Sequence, residues 1–423
     1  MSRISIWKIM RNTSSMSFMN AKRVRDYPRL MLITTYIILG INLLLHNGWI
    51  SGFGQVIAGD FVMFYSTGII YRTSPELIYD YDKQSRTQQS LVAPTTLTGY
   101  NPYMNPPYVA PFYSILTHIP LEWSLLLWTI LAIGSIFLVM RLLFTLVPVE
   151  KQSPELGYSQ LVVIGLSFFP FIEGIQAGQN HWITLLLVTG ITYAMYKEKW
   201  VTTGILTGLL IYKPQFTIGF IILWLIWRKS KALLAFTAVT TIWIGAFILQ
   251  NGIKLLLLYS QLSQVFMDLP YIAGFPNYLL VTIYGLLTSI FPKDLQSIIT
   301  FLTYFIIIIG AIGLGWFANR QKGYPMVERI PTIVGALLLP LLATPYALVH
   351  DMIILLPAYV MWGIYSNTNR YINISATVYL GVFILTFIAS VTGIAWVSLI
   401  TFGLFIALTT WIFNKNNSNT LMN

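Results

Sequence analysis

Apolar runs of about twenty residues recur along this chain from Leu30 to Phe413, and they leave few folds open. Crossing a hydrocarbon core about 30 Å thick takes about 20 mostly apolar residues in a helix. In lipid every backbone N–H and C=O must be paired within the protein, so spanning segments are helices or closed barrels. The alternating pattern of a barrel strand is absent, which leaves helices. Of the 423 residues, 56% are hydrophobic and only 9% charged, with mean hydropathy +0.70. A soluble domain carries about 25% charged residues, so this chain cannot cover a water-facing surface. The expected fold class is an all-α polytopic membrane protein.

After a first span at 30–45, further runs fall at roughly 121–145, 157–173, 180–196, 200–212, 214–227, 231–250, 295–317, 330–343, 350–366, 371–390 and 392–413. Together they predict about 12 transmembrane helices in one domain, 30–413. A basic cytoplasmic arm (1–29) precedes it and a cytoplasmic tail (414–423) follows. The first span carries no A-x-A cleavage signature and is expected to remain as an anchor. An outer loop at about 48–106 contains a segment, Phe61 to Tyr71, that mixes aromatic and polar residues as an interfacial helix does. Prolines at 106, 107 and 120 bracket a stretch too short to cross, read as an outer-face or re-entrant helix. Residues 251–291 read as a second outer excursion, and the runs flanking Lys213-Pro214 as half-helices meeting at a turn.

Charge orients this threading. With both termini inside, the cytoplasmic side receives 19 Lys+Arg against 5 acidic residues, and the outer side 6 against 9. That is the positive-inside asymmetry of a plasma (cytoplasmic) membrane protein in contact with anionic lipids. The net charge of +11 is thus accounted for by topology, and no nucleic-acid partner is expected. There are no cysteines, and His46, His118, His181 and His350 show no metal-ligand spacing. No cofactor is expected, although Asp60 and Asp351 together could recruit a divalent metal.

The threading gathers the unusual polar residues on the outer side. Asp60 follows the first span, and a carboxylate held just outside the bilayer can act as a general base. Lys213 and His350 can hold a phosphate, while Gln179, Asn180 and Gln215 have the hydrogen-bonding repertoire for sugar hydroxyls. Tyr65, Tyr346 and Asp351 lie beside them in the same reading. Each also has a plainer role. Asp60 can be a helix N-cap, Lys213 a snorkelling lysine, and His350 a packing histidine. Gln179-Asn180 can cap a span, and Glu122 and Glu173 can be solvated helix ends. His46, His118 and His181 read as interface residues.

An ordered set of segments carries a resemblance. It comprises Gly59-Asp60-Phe61 with Phe64-Tyr65, Leu77-Ile78-Tyr79-Asp80, Asn105-Pro106-Pro107, Gly178-Gln179-Asn180, Tyr212-Lys213-Pro214-Gln215, and Thr344-Pro345-Tyr346 with Asp351-Met352. In this order the chain resembles glycosyltransferase family 87, a branch of the GT-C superfamily, over about Gly59 to Pro357. The family often has Tyr-Pro-Pro where this chain has Asn105-Pro106-Pro107. The resemblance implies a GT-C-like bundle moving a sugar, often mannose in this family, from a polyprenyl-phosphate donor to an acceptor outside the cytoplasm. It also implies inversion, with Asp60 as the base. The acceptor is left open among lipid, glycan and protein. Rival classes are a polytopic transporter or flippase, expected to show repeated halves with midplane breaks, and a glycan ligase or polymerase, expected to show an arginine-rich outer site.

Overall fold

A computed structural model describes residues 21–146, 157–272, 274–365 and 369–404. Most of the basic arm, the 147–156 connection and the C-terminal tail lie outside the described residues, as do residues 405–413 of the expected 392–413 span. Among the described residues every regular element is helical, accompanied by isolated β-bridges such as Leu280 with Leu348.

The first helix, α1 (Ala21–Leu44), is followed by three short helices, α2 (Gly59–Thr73), α3 (Tyr81–Leu91) and α4 (Ala110–Leu116). Next come α5 (Leu121–Phe144), α6 (Tyr158–Leu166), α7 (Phe169–Ala177), α8 (His181–Tyr196) and α9 (Trp200–Leu209). The chain continues through α10 (Ile218–Ile226), α11 (Ser230–Asn251), α12 (Lys254–Asp268), α13 (Ile283–Ile290) and α14 (Gln296–Arg320). It ends in α15 (Ile330–Ala343), α16 (Leu355–Tyr365) and α17 (Asn369–Thr392).

Among the described residues four helices are long and apolar enough to cross a membrane: Lys22–Leu44, Leu121–Phe144, Ser230–Asn251 and Lys293–Arg320. The pair α6 and α7, bent by 52° where Pro170 enters the first turn of α7, raises this to five. Proline removes a donor and clashes with the preceding turn, so the helix restarts at a new angle. Only 11–33% of the apolar windows of the four long helices is buried within the protein, and Leu249 is 90% exposed. Such surfaces are stable against lipid rather than water, and the chain is a polytopic all-α membrane protein.

The expected 12 crossings are found only in part. Several predicted spans are apolar helices of 10–17 residues, such as Trp200–Tyr212 and Pro214–Ile226. At 1.5 Å per residue, a ten-residue helix reaches about half of the hydrocarbon core. Two 3₁₀ turns, Leu210–Tyr212 and Pro214–Thr217, flank Lys213, so α9 and α10 are two short helices joined at a polar elbow. The predicted 350–366 span begins as a 3₁₀ turn, Val349–Ile354, before α16.

Packing fixes this arrangement. Helix α9 lies against α11 through Gly204 and Gly208, a small-xxx-small pair that lets two backbones meet. A Cβ on Gly204 would sit 2.2 Å from the Ala232 carbonyl oxygen. Helix α2, read from sequence as interfacial, is buried instead: Phe61, Phe64 and Ile70 are at most 1% exposed. Phe64 stacks on Tyr113 of α4 at 4.5 Å, and Phe61 meets Trp128 of α5 at 5.5 Å. With 15 residues, nine of them buried, α2 is neither a crossing nor a surface helix. It packs between α4 and α5.

Candidate active site

Helix α2 begins at Ala58, whose backbone is left-handed (φ 49°), and places Asp60 in its first turn. Asp60 is not the N-cap, and the cap makes no side-chain hydrogen bond. Both carboxylate oxygens are engaged elsewhere. Gln179 donates from Nε2 to Oδ2 at 2.7 Å, and Asn101 donates from Nδ2 to Oδ1 at 3.1 Å.

Each amide is delivered by its own device. Gln88, buried on α3, accepts from the Asn101 N–H at 3.0 Å and donates to the Asn101 carbonyl at 2.7 Å. Gln84 accepts from the Tyr103 N–H at 2.7 Å, so α3 clamps the 101–103 segment against α2. On the other side, Gly178 ends α7 with φ 73°. A Cβ there would meet the Phe61 Cβ at 2.6 Å and the Ala58 Cβ at 2.9 Å. Only glycine fits both the left-handed turn and the contact with α2, and this turn brings Gln179 to Asp60.

Desolvation raises the Asp60 carboxyl above its ordinary value of 3.8, opposed first by the positive side of His350 and then by the Gln179 hydrogen bond. A carboxylate pushed up in this way is a stronger base.

Beyond Gln179 lies a buried chain of charges. Lys213 Nζ contacts Asp351 Oδ1 at 2.8 Å, and both side chains are 9% exposed. His350 Nδ1 contacts Glu173 Oε2 at 3.0 Å, and His350 Nε2 lies 3.9 Å from Asp351 Oδ2. Asp351 Oδ2 also accepts from the Leu348 N–H at 3.2 Å. The elbow between α9 and α10, the 3₁₀ turn before α16 and helix α7 thus contribute one ion-paired group. An ammonium carries three donors and Asp351 accepts one of them, so Lys213 retains donor capacity for a phosphate oxygen.

The remaining predicted residues are placed as follows. Asn180 is buried and donates to the Tyr113 hydroxyl at 2.8 Å, while its Oδ1 has no partner among the described residues. Gln215 is half-buried on the 3₁₀ turn after Lys213. Tyr346 is half-buried, its ring 5.0 Å from that of Phe266 on α12. Tyr65 points its hydroxyl to the Ile119 carbonyl at 2.7 Å, a structural contact rather than one with Asp60. Among the described residues no group of three or more His, Asp or Glu is arranged to hold a metal.

Three residues were not singled out from sequence. Asn101 gave no signal beyond preceding Pro102. Glu173 did give one: a carboxylate inside the apolar run Phe169–Ala177, the kind of costly group that marks a site in a membrane protein. It is an ion-pair partner, not a solvated helix end. His181 is fully buried against Gly174 and Phe171 rather than at an interface.

The described helices thus bring a doubly clamped carboxylate together with two ion pairs, Lys213–Asp351 and His350–Glu173. The chain matches the model of glycosyltransferase family 87 over residues 103–345, more than half its length, and it belongs to that family. It is therefore a glycosyltransferase. The matched segment contains Glu173, Gln179, Asn180, Lys213 and Gln215; Asp60, Asn101, Tyr346, His350 and Asp351 lie outside it. Among curated proteins no relative matches the chain.

Proposed function

We propose that this glycosyltransferase moves a sugar from a polyprenyl-phosphate donor to an acceptor hydroxyl on the extracytoplasmic side, with inversion at the anomeric carbon. The observation that carries the reading is the Asp60 carboxylate, held by two amides from separate segments and backed by the Lys213–Asp351 and His350–Glu173 pairs.

The acceptor oxygen attacks the anomeric carbon while Asp60 takes its proton. The bond from that carbon to the phosphate oxygen breaks, and the departing polyprenyl phosphate carries the electron pair away. The leaving phosphate gains one negative charge, which Lys213 and His350 are placed to stabilise. Asn101 and Gln179 hold the carboxylate in one orientation, so little reorganisation is needed at the moment of transfer. Gln179, Asn180 and Gln215 supply amide groups for the sugar, and Tyr346 a ring beside it. Mannose is the first sugar to try, and the outward-facing site in a plasma membrane follows from the charge threading.

The test is transfer by the purified protein in lipid nanodiscs from a panel of polyprenyl-phospho-sugars, with the linkage determined by NMR. The expected product has the anomeric configuration opposite to the donor. Retention of configuration, or transfer from a nucleotide sugar but from no lipid-linked donor, would overturn the proposal.

A further inference from the structure

Outside the Asp60 clamp, a cavity of about 320 Å³ opens between the 79–104 segment of the outer loop and helix α12. Tyr79, Tyr100 and Tyr103 line one wall and Val265, Phe266 and Leu269 the other. The two innermost tyrosine hydroxyls are committed within the protein: Tyr79 donates to the Asn105 carbonyl at 2.7 Å and Tyr103 to the Pro106 carbonyl at 3.1 Å. The cleft presents mostly ring faces and aliphatic groups, with the hydroxyls of Tyr81 and Tyr100 as its side-chain hydrogen-bonding groups. Such a lining matches a hydrocarbon chain better than a saccharide, whose hydroxyls each need a partner once out of water. The space equals about ten water-sized volumes of roughly 30 Å³, the bulk of a short run of methylene groups.

The cleft wall is tied to Asp60 through a single residue. Tyr100 and Pro102 line it, and Asn101 between them donates to Asp60. In an inverting displacement the incoming oxygen and the leaving phosphate lie on opposite sides of the anomeric carbon. The base is on the incoming side, and Asn101 joins the cleft to that base. Gln179 approaches the other carboxylate oxygen from the turn that leads into α8, towards the Lys213 and His350 cluster.

We propose that this cleft seats the hydrocarbon chain of a lipid-anchored acceptor, so that the acceptor of this enzyme is a glycolipid whose hydroxyl is presented to Asp60. The inference rests on the transferase reading above, but its test does not require turnover. The probe is a dodecyl mannoside with a diazirine on its alkyl chain, photolysed with the full-length protein in lipid nanodiscs and mapped by peptide mass spectrometry.

Labelling is expected within 79–104 and 262–272, competed by unlabelled dodecyl mannoside. It should fall at least tenfold in Val265→Trp, which fills the cleft, and persist in Asp60→Asn. Leu269→Trp provides a second blocking variant, and Val265→Ala, which widens the cleft, should shift preference towards longer alkyl chains. Labelling elsewhere, or labelling that survives both tryptophan variants, overturns the proposal. So does competition by undecaprenyl phosphate in preference to dodecyl mannoside, which assigns the cleft to the donor. Equal competition by a soluble mannose oligosaccharide assigns it to a glycan and overturns it as well. Labelling as expected in a protein that transfers no sugar would refute the transferase mechanism while leaving the lipid cleft standing.

Discussion

The Lys213–Asp351 pair gives a stability prediction whose size follows from its surroundings. Both side chains are 9% exposed and meet at 2.8 Å, so removing either partner strands a charge away from water. Breaking a buried pair from one side costs about 3–5 kcal/mol, whereas replacing both by apolar groups of similar volume is often close to neutral. The two single substitutions are not equivalent here. Lys213→Met leaves Asp351 with the Leu348 N–H at 3.2 Å and His350 at 3.9 Å, so its cost lies near the lower end, about 3 kcal/mol. Asp351→Asn leaves the Lys213 ammonium beside an amide and the Phe216 ring, 5.8 Å away, and its cost lies near the upper end, about 5 kcal/mol. The double variant Lys213→Met/Asp351→Leu should recover most of the loss. Equilibrium unfolding in mixed micelles, arranged as a double-mutant cycle, reads the coupling directly. Single costs below about 1 kcal/mol, in the range of exposed pairs, would refute the claim that this pair is desolvated.

Two further outcomes concern the clamp. A protonated Asp60 cannot accept a proton, so transfer is lost as pH falls through its pKa. Because burial raises that pKa, the loss should begin above the ordinary carboxylate value of 3.8. Gln179→Leu removes a hydrogen bond that opposes the shift, so its pH–rate profile should move to higher pH; an unmoved profile would show that Gln179 does not act on Asp60. Gly178→Ala puts a Cβ 2.6 Å from the Phe61 Cβ in a left-handed turn. It should cost about 1–3 kcal/mol in unfolding experiments and slow transfer by displacing Gln179, and wild-type behaviour in both assays would contradict the close contact.

What could be read from the chain and what could not divide along a physical line. Hydropathy reports removal from water, so the membrane class and the long helices α1, α5, α11 and α14 were legible. It does not report whether lipid or protein does the covering. Helix α2 therefore read as interfacial although Phe61 and Phe64 are enclosed by α4 and α5, and the short helices α15 and α16 read as full spans. The elbow at Lys213-Pro214 was visible because proline and an ionisable group coincide there. Asp60, Gln179, Lys213, His350 and Asp351 were legible as polar exceptions in an apolar background, and folding brings them into one neighbourhood. Their pairing was not legible. Glu173 meets His350 across 177 positions, and Asn101 reaches Asp60 across 41 through a backbone clamp by Gln88, whose amide looks like any other surface glutamine in sequence. Long-range contacts of this kind leave no periodic trace.

The most direct test compares sugar transfer by wild type and Asp60→Asn in lipid nanodiscs, with polyprenyl-phospho-sugar donors and a membrane glycolipid extract. Asparagine keeps the shape of the side chain and removes its basicity. If Asp60 is the base, transfer should fall about 10²–10⁴-fold while donor binding is unchanged. Transfer by a folded Asp60→Asn at the wild-type rate would contradict the mechanism.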